Sequence, residues 1–436
     1  MHKYTAVTVD CNSGFIFAEV VFLEEKFGSK TAFIMASVGS AVGLGNVFRF
    51  PSLAVKYGLV FLPVYTLLLV FLGLPLVLSE LALGRAFGSN PQKAFNQAQK
   101  TGKTVGRLSL LNCFIVMSYY TLLFSFVLAQ SVSSALEVFS FNLPPKTDFF
   151  ESGLFFVFIS WCLVLLCFGS ANRLGKISTV GMVASCLILV SLALFCALKS
   201  PEKLSLFCHF TPSFLFLPSF WLDAVGQVFF SLSVTVGVMV AYGAFLDKKE
   251  SLAVCSAIIA FFDMGVSLVA TVIYACVSPS SLGTTQSLSV YSSAFSSFGL
   301  LGTVFSFLFY LSLAFLCLDS VEAYLKSVVL GLSGKVLGKE RHRAFAVAFF
   351  SAFFGVIILF FGLTDFFDGK VAPFLALLVG FGEAVVFAKL SKEKTLYSEI
   401  FIKNRPFLWS FYRFCVTLVI PPLLALLFLS EFFFSP

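Results

Sequence analysis

Apolar runs long enough to cross a bilayer recur along the chain, separated by short polar gaps. They fall near residues 32–52, 58–84, 108–139, 153–172, 175–198, 219–245, 251–278, 300–328, 343–363, 370–389 and 407–433. A membrane-crossing helix needs about twenty mostly apolar residues, so the pattern predicts eleven of them in an all-α integral membrane protein. The narrowest boundary lies between the fourth and fifth runs, at "GSANRLGK". The gap 279–299 carries no charge and is rich in Ser and Gly. It reads either as a re-entrant, lid-like loop or as a plain polar one.

Two runs are interrupted. The first contains "GSAVGLGN"; the sixth contains "FFSLSVTVGVMVAYG", with Ser231, Ser233, Thr235 and Gly237 at its centre. Backbone left unpaired in hydrocarbon costs several kcal/mol per group, so a broken helix persists only where it lines a site. Breaks at matching places in two five-helix halves point to a transporter built on inverted repeats. The halves are then 31–198 and 219–390. Residues 407–433 form an added helix, and 1–30 a cytoplasmic tail whose "GFIFAEVVFL" patch is too short and acidic to span.

Lys and Arg set the orientation. With the N-terminus inside, the inner gaps hold Arg85, Lys93, Lys100, Lys103 and Arg107, then Arg173 and Lys176, then Lys248 and Lys249, and two further basic clusters near 335–343 and 389–405. The outer gaps hold only Lys56, Lys146, Lys199, Lys203 and Lys370. That asymmetry places the N-terminus inside and, with eleven spans, the C-terminus outside.

Composition agrees: 59% of the 436 residues are hydrophobic and only 12% charged, which leaves little room for a soluble domain. The net charge of +7 lies in the loops, where it faces anionic lipid rather than nucleic acid. The eleven Cys are scattered without a CxxC, and His2, His209 and His342 have no ligand spacing, so they read as packing residues. No nucleophile–base constellation is present, which argues against an enzyme.

Ionisable residues inside apolar runs are functional candidates by default. Here they are Arg49, Glu80, Asp263, Asp319, Glu322, Glu383 and Arg413, with Asp368 at an outer helix end. Asp263 and Asp319 each need a cation beside them or a proton upon them. A hard cation such as Na⁺ takes oxygen ligands, which carboxylates, hydroxyls and freed carbonyls supply. The alternative is a protonated Asp bonded to a neighbouring helix.

The stretch "GSAVGLGNVFRFP" (39–51) resembles the first-helix signature of the neurotransmitter:sodium symporter family, the LeuT-like transporters. Other stretches agree in order: "GLPLVLSELALGR" with the second helix, "SYY" (118–120) with the third, "AVGQVFFSLSVTVGVMVAYGAF" with the sixth, "FFDMGVSLVA" with the seventh, "LDS" with the eighth and "FFDGKVAPF…GFGEAVVF" with the tenth. The resemblance spans roughly 24–430. That family is itself a standard example of paired broken helices, so the placement of the breaks is not independent support.

The resemblance implies a LeuT-like fold and two sodium sites. The first would use the Ala41 carbonyl, Asn46, Ser231 and Asp263, completed by the substrate carboxylate. The second would use carbonyls of Gly39, Val42 and Leu316 with the side chains of Asp319 and Ser320. Substrate would lie against Ser40, Ala41, Leu44, Gly45, Val116, Tyr120, Phe230, Ser231, Ser233, Val236, Ser320 and Tyr324, with Tyr120 on its carboxylate. Arg49 and Asp368 would close an outer gate over it, with Phe230 as lid. Glu80 would brace the sixth helix.

Gly43 stands where monoamine carriers of the family have Asp, which favours an amino-acid substrate. Tyr65, Gln227, Ser231 and Ser267 match the family's chloride site, but Asp263 stands where chloride-dependent members have Asn. The resemblance therefore implies chloride-independent, sodium-coupled symport of an amino acid by alternating access. The helix count favours a multi-pass protein of a bacterial plasma membrane. Competing readings are a proton-coupled transporter of the same fold, and a substrate-gated channel or non-transporting sensor. Monomer and homodimer both remain open.

The chain also departs from the family pattern. "KYGLVF" replaces the usual glycine-rich turn after Pro51. "EEKFGSK" replaces an Arg-Trp inner gate, with Lys26 and Phe27 as stand-ins, and the gate's acidic partner falls at Gly334.

Overall fold

The structure is a computed structural model that describes residues 26–138, 149–277, 290–291, 294–295, 298–332, 340–392, 399–400 and 406–434. Every regular element among them is helical. All eleven predicted runs coincide with helix. Among the described residues, eight helical stretches are long and apolar enough to cross a membrane, one of them the stretch Gly45–Phe87 that takes in the end of the first run and the whole second; a ninth counts if Pro201–Phe216 and Pro218–Ser231, bent by 116°, are one span.

Helix α1 is Lys30–Ala41, opened by Ser29, whose Oγ accepts from the Ala32 N–H at 3.0 Å. It stops at Val42, which is extended (ψ 114°). The chain resumes as a wide π turn at Gly45–Arg49 and continues as α2, Phe50–Tyr57. Pro51 sits in the first turn of α2, where a missing N–H is least felt. The stretch after Pro51, expected as a gap from residue 53, is thus helix as far as Tyr57, and the chain turns only at Gly58 (φ 62°).

The second run is α3 (Phe61–Leu68) and α4 (Leu74–Phe87), joined through a π turn. A short helix that the apolar pattern does not show, α5 (Pro91–Ala98), precedes α6 (Gly102–Val138). Helices α7 (Phe149–Cys167) and α8 (Ala171–Lys199) meet earlier than expected: Ser170 Oγ caps α8 through the Arg173 N–H, so the fifth run begins at 171 rather than 175. The sixth run is α9 (Pro218–Ser231) and α10 (Val238–Phe245). Then follow α11 (Leu252–Val277), α12 (Gly299–Gly331), α13 (Glu340–Phe360), α14 (Ala372–Leu390) and the pair α15 (Pro406–Phe414) and α16 (Ile420–Phe434).

Between α9 and α10 the backbone is unwound. Ser233 (φ 48°), Thr235 (φ 68°) and Gly237 (φ 71°) are left-handed. For a β-branched Thr that is a true outlier, at a cost of about 1–3 kcal/mol. The inner half of this broken span packs hard on α4. A methyl on Gly84 would overlap the Val240 carbonyl, and one on Gly243 would overlap the Leu81 carbonyl, so the two backbones touch.

Helices α6 and α12 run side by side, linked by Cys113 Sγ donating to the Tyr324 carbonyl (3.6 Å) and by a Ser134–Ser306 bond (3.0 Å). The outside is apolar: Phe155, Phe158, Phe349 and Phe353 are each at least 60% exposed, as a lipid-facing surface requires. Of the uncharged 279–299 segment, 279–289, 292–293 and 296–297 lie outside the described residues. Tyr291 and Phe295 are buried, and Tyr291 stacks on Phe309 at 4.5 Å. At that point the segment is packed core rather than a plain polar loop. Arg413, expected inside the membrane domain, faces outward from α15.

Candidate binding site at the paired helix breaks

The break after α1 is held from within and from α6. Gly43 N–H donates to Asn46 Oδ1 (3.0 Å), and Leu44 N–H donates to the Tyr120 hydroxyl (2.9 Å). A methyl on Gly43 would overlap that hydroxyl. Glycine is therefore needed for Tyr120 to reach the broken backbone.

Asn46 then reaches α9 and α11. Its Nδ2 donates to Asp263 Oδ1 (2.6 Å), Ser267 Oγ (2.8 Å) and Ser231 Oγ (3.1 Å). Ser231 Oγ also donates to Asp263 Oδ2. The expected first-site side chains Asn46, Ser231 and Asp263 thus form one buried cluster, the Asp fully enclosed. Beside it, the Tyr65 hydroxyl and Gln227 Oε1 are buried without a hydrogen-bond partner among the described residues, and Gln227 Nε2 is 3.4 Å from the Gly45 carbonyl.

A second oxygen-rich cluster lies between α1 and α12. Ser320 Oγ faces the carbonyls of Gly39 (3.4 Å) and Leu316 (3.1 Å). Asp319 accepts from Ser178 Oγ on α8, and its other oxygen fills the space a methyl on Gly39 would take. The Val42 carbonyl, the remaining expected ligand, is on the extended residue that ends α1, where no helical N–H claims it. One turn on from Asp319, Glu322 is buried with neither oxygen partnered among the described residues.

Between the clusters is a cavity of about 30 Å³ lined by Ala41, Leu44, Gly45, Tyr120, Ser320 and Tyr324, together with Arg49, Phe230 and Asp368. It has room for about two waters, so an amino acid enters only if lining side chains move. The expected gate residues share its wall: the Arg49 guanidinium lies 4.9 Å from the Phe230 ring centre. A smaller cavity of about 10 Å³, lined by Val116, Ser233 and Val236, adjoins it through the shared Phe230 and Tyr324. Ser40 and Ser231 line neither. Ser40 instead gives its carbonyl to Ser233 Oγ (2.6 Å), which ties the two breaks together.

A family model described as the sodium:neurotransmitter symporter family matches residues 24–148 and 153–435. The chain belongs to this family. Its members are transporters, not enzymes. Among relatives, an uncharacterised sodium-dependent transporter of Methanocaldococcus jannaschii is 30% identical over 269 residues, covering 56% of this chain and 54% of that one. The bovine sodium-dependent neutral amino acid transporter B(0)AT2 is 25% identical over 297 residues, covering 59% and 41%. The matched segments span about half the length of these relatives. A crystal structure of MhsT in complex with L-phenylalanine matches with a TM-score of 0.83 at 21% identity, over 93% of this chain and 99% of that one. The fold is therefore the LeuT-like one.

Several lining residues were not among the expected substrate contacts, although Thr235 lies at the centre of the sixth-run break and Tyr119 within "SYY". Asn112, Tyr119, Leu123 and Thr235 line the cavities. The first three share one face of α6 with Val116 and Tyr120, a 3–4 spacing that could have found them. Ser178 had no such signal. The inner contacts are also new. Lys26 pairs with Asp247 (3.7 Å) and Lys30 with Glu250 (3.2 Å), both acids from the loop after α10. The acidic partner expected at Gly334 lies outside the described residues, and Lys26 finds its acid elsewhere. Phe27, the expected stand-in for Trp, is buried edge-on against Phe33, Tyr242 and Phe245.

Proposed function

We propose that the protein is a sodium-coupled amino-acid symporter of the plasma membrane, working by alternating access. The observation that carries this reading is the placing of two buried carboxyls against the broken first span, Asp263 on Asn46 and Ser231 and Asp319 against Gly39 and Ser178. Both clusters offer only oxygen and amide groups, which suits a hard monovalent cation. A cation bound to Asp263 takes the place of Asn46 Nδ2, and a flip of that amide turns Oδ1 inward as a ligand. The substrate carboxylate then completes the shell, so sodium and amino acid favour each other's binding.

The substrate's α-carboxylate is read as bonding Tyr120, whose hydroxyl accepts from Leu44 and keeps its proton to donate. Closure over the substrate is assigned to Arg49, Phe230 and Asp368 on the outer side. On the inner side it is assigned to Phe27 with the pairs of Lys26 and Lys30. Chloride is not needed in this reading, because the Asp263 carboxylate supplies the negative charge beside the first sodium.

The test is uptake and counterflow in proteoliposomes, screened by competition with the twenty amino acids at fixed pH. Sodium-dependent uptake with counterflow supports the reading. Uptake that follows protons and ignores sodium selects the proton-coupled alternative, and flux without counterflow selects a channel.

A further inference from the structure

The smaller cavity has a polar foot. Asn112 on α6 and Thr235 in the unwound part of the sixth span are both buried, at 1% and 0% exposure. Asn112 Oδ1 and Thr235 Oγ1 have no hydrogen-bond partner among the described residues. Both residues line the cavity, whose walls are otherwise mostly apolar (Val116, Phe229, Phe230 and Val236); of the other polar lining residues, Ser233 already spends its hydroxyl on the Ser40 carbonyl, and Tyr324 is shared with the larger cavity. A buried polar atom without a partner is costly, so two of them on one small cavity need an explanation.

The amide orientation is fixed by its neighbour. Asn112 Nδ2 lies 3.4 Å from the Thr235 carbonyl, which only a donor can face. Flipping the amide would set two acceptors against each other. The free atom is therefore the acceptor Oδ1. Thr235 is held in its strained conformation by its N–H, which donates to Glu80 Oε1 at 2.7 Å. Strain that a buried carboxylate maintains, at a residue whose hydroxyl meets no partner, marks a position kept for a ligand.

We propose that this foot recognises the tip of the substrate side chain, and that the preferred substrate is an aromatic amino acid carrying a hydroxyl at its tip, that is, tyrosine. This rests on the amino-acid reading above. A phenol donates to Asn112 Oδ1 and accepts from Thr235 Oγ1, which satisfies both atoms. Phenylalanine and leucine satisfy neither, and indole can only donate. The length also fits. Asn112 lies eight residues before Tyr120 on one helix, about 12 Å along its axis. That is close to the span of a tyrosine from carboxylate to phenol with a hydrogen bond at each end. The apolar walls take the ring.

The test is sodium-dependent binding of tyrosine and of phenylalanine to the purified protein, in wild type, Asn112→Leu and Thr235→Val. The readout is the tyrosine-to-phenylalanine affinity ratio within each variant, so a general loss of binding cancels. A site built to hydrogen-bond a hydroxyl penalises the analogue that lacks it. We expect tyrosine to bind at least about tenfold tighter in wild type, with the ratio falling toward one in both variants. Equal affinities in wild type would overturn the proposal while leaving the amino-acid reading intact; the foot would then hold only a water. A tyrosine preference that survives both substitutions would also overturn it. If no amino acid binds with sodium, the functional reading fails, and this proposal with it.

Discussion

Asn46 Nδ2 donates to Asp263 Oδ1 across 2.6 Å, which joins the broken first span to α11 at the point where the expected chloride-site residues converge. In the chloride-independent reading, the carboxylate takes the place of a mobile anion. Asp263→Asn removes that charge and keeps the shape. In wild type, replacing chloride by gluconate should leave uptake within about twofold. In Asp263→Asn, uptake should fall at least about tenfold in gluconate and recover with chloride, the scale of one charge-assisted contact. A collapse of wild-type uptake in gluconate would show that Asp263 does not replace the anion.

The second cluster depends on an absent side chain. Asp319 occupies the volume a methyl on Gly39 would take. Gly39→Ala should push the carboxylate off the break and weaken the apparent sodium affinity by about tenfold or more, the worth of one charged ligand contact. Sodium titration of amino-acid binding measures it. Asp319→Ala should lose the dependence attributed to this site; full retention of it would remove Asp319 from the ligand set.

Glu80 holds the second break open through the Thr235 N–H. Glu80→Gln keeps an acceptor in reach, while Glu80→Ala leaves a buried donor unpaired. The alanine variant should lose about 1–3 kcal/mol of stability and the glutamine variant clearly less. Chemical or thermal unfolding in detergent reports the difference. Equal losses would mean that Glu80 matters for packing alone.

The inner contact Lys26–Asp247 is exposed and contributes little to stability. The Asp247 carboxyl is held below its ordinary range, first by the Lys249 backbone N–H, then by the charge of Lys26. A depressed carboxyl stabilises the fold above its unfolded pKa and loses that effect as pH falls through the lower, folded one. The contact should therefore be unchanged from pH 8 down to about 5 and weaken only below the usual carboxylate pKa of about 4. Cysteine-labelling accessibility on the inner face, followed against pH, checks it. A transition near neutral pH would contradict the assignment.

The apolar runs, the two breaks and most of the residues gathered at the candidate site are legible in the sequence because each leaves a local mark. Twenty apolar residues need a bilayer, and Gly43, Gly45 and Asn46 stand out within the first run. Two kinds of feature leave none. Helix that runs through the gap at Lys56 and Tyr57 ends only at Gly58, where a left-handed turn and the Leu59 N–H donating to the distant His209 carbonyl (2.9 Å) stop it, a partner that hydropathy does not show. Partners far apart in the chain, such as Ser178 for Asp319 or Asp247 for Lys26, arise only when the helices assemble. Asn112 reads as one more polar residue in a long helix until Thr235 is brought opposite it.

The central claim, sodium-coupled transport of an amino acid, is tested most directly by concentrative uptake into proteoliposomes under an imposed sodium gradient, with a protonophore present. The account predicts accumulation of labelled amino acid above its equilibrium level, which vanishes when the outside sodium is replaced by choline and is abolished in Asp263→Ala. Accumulation that persists in choline, or that needs a proton gradient and not sodium, would contradict it.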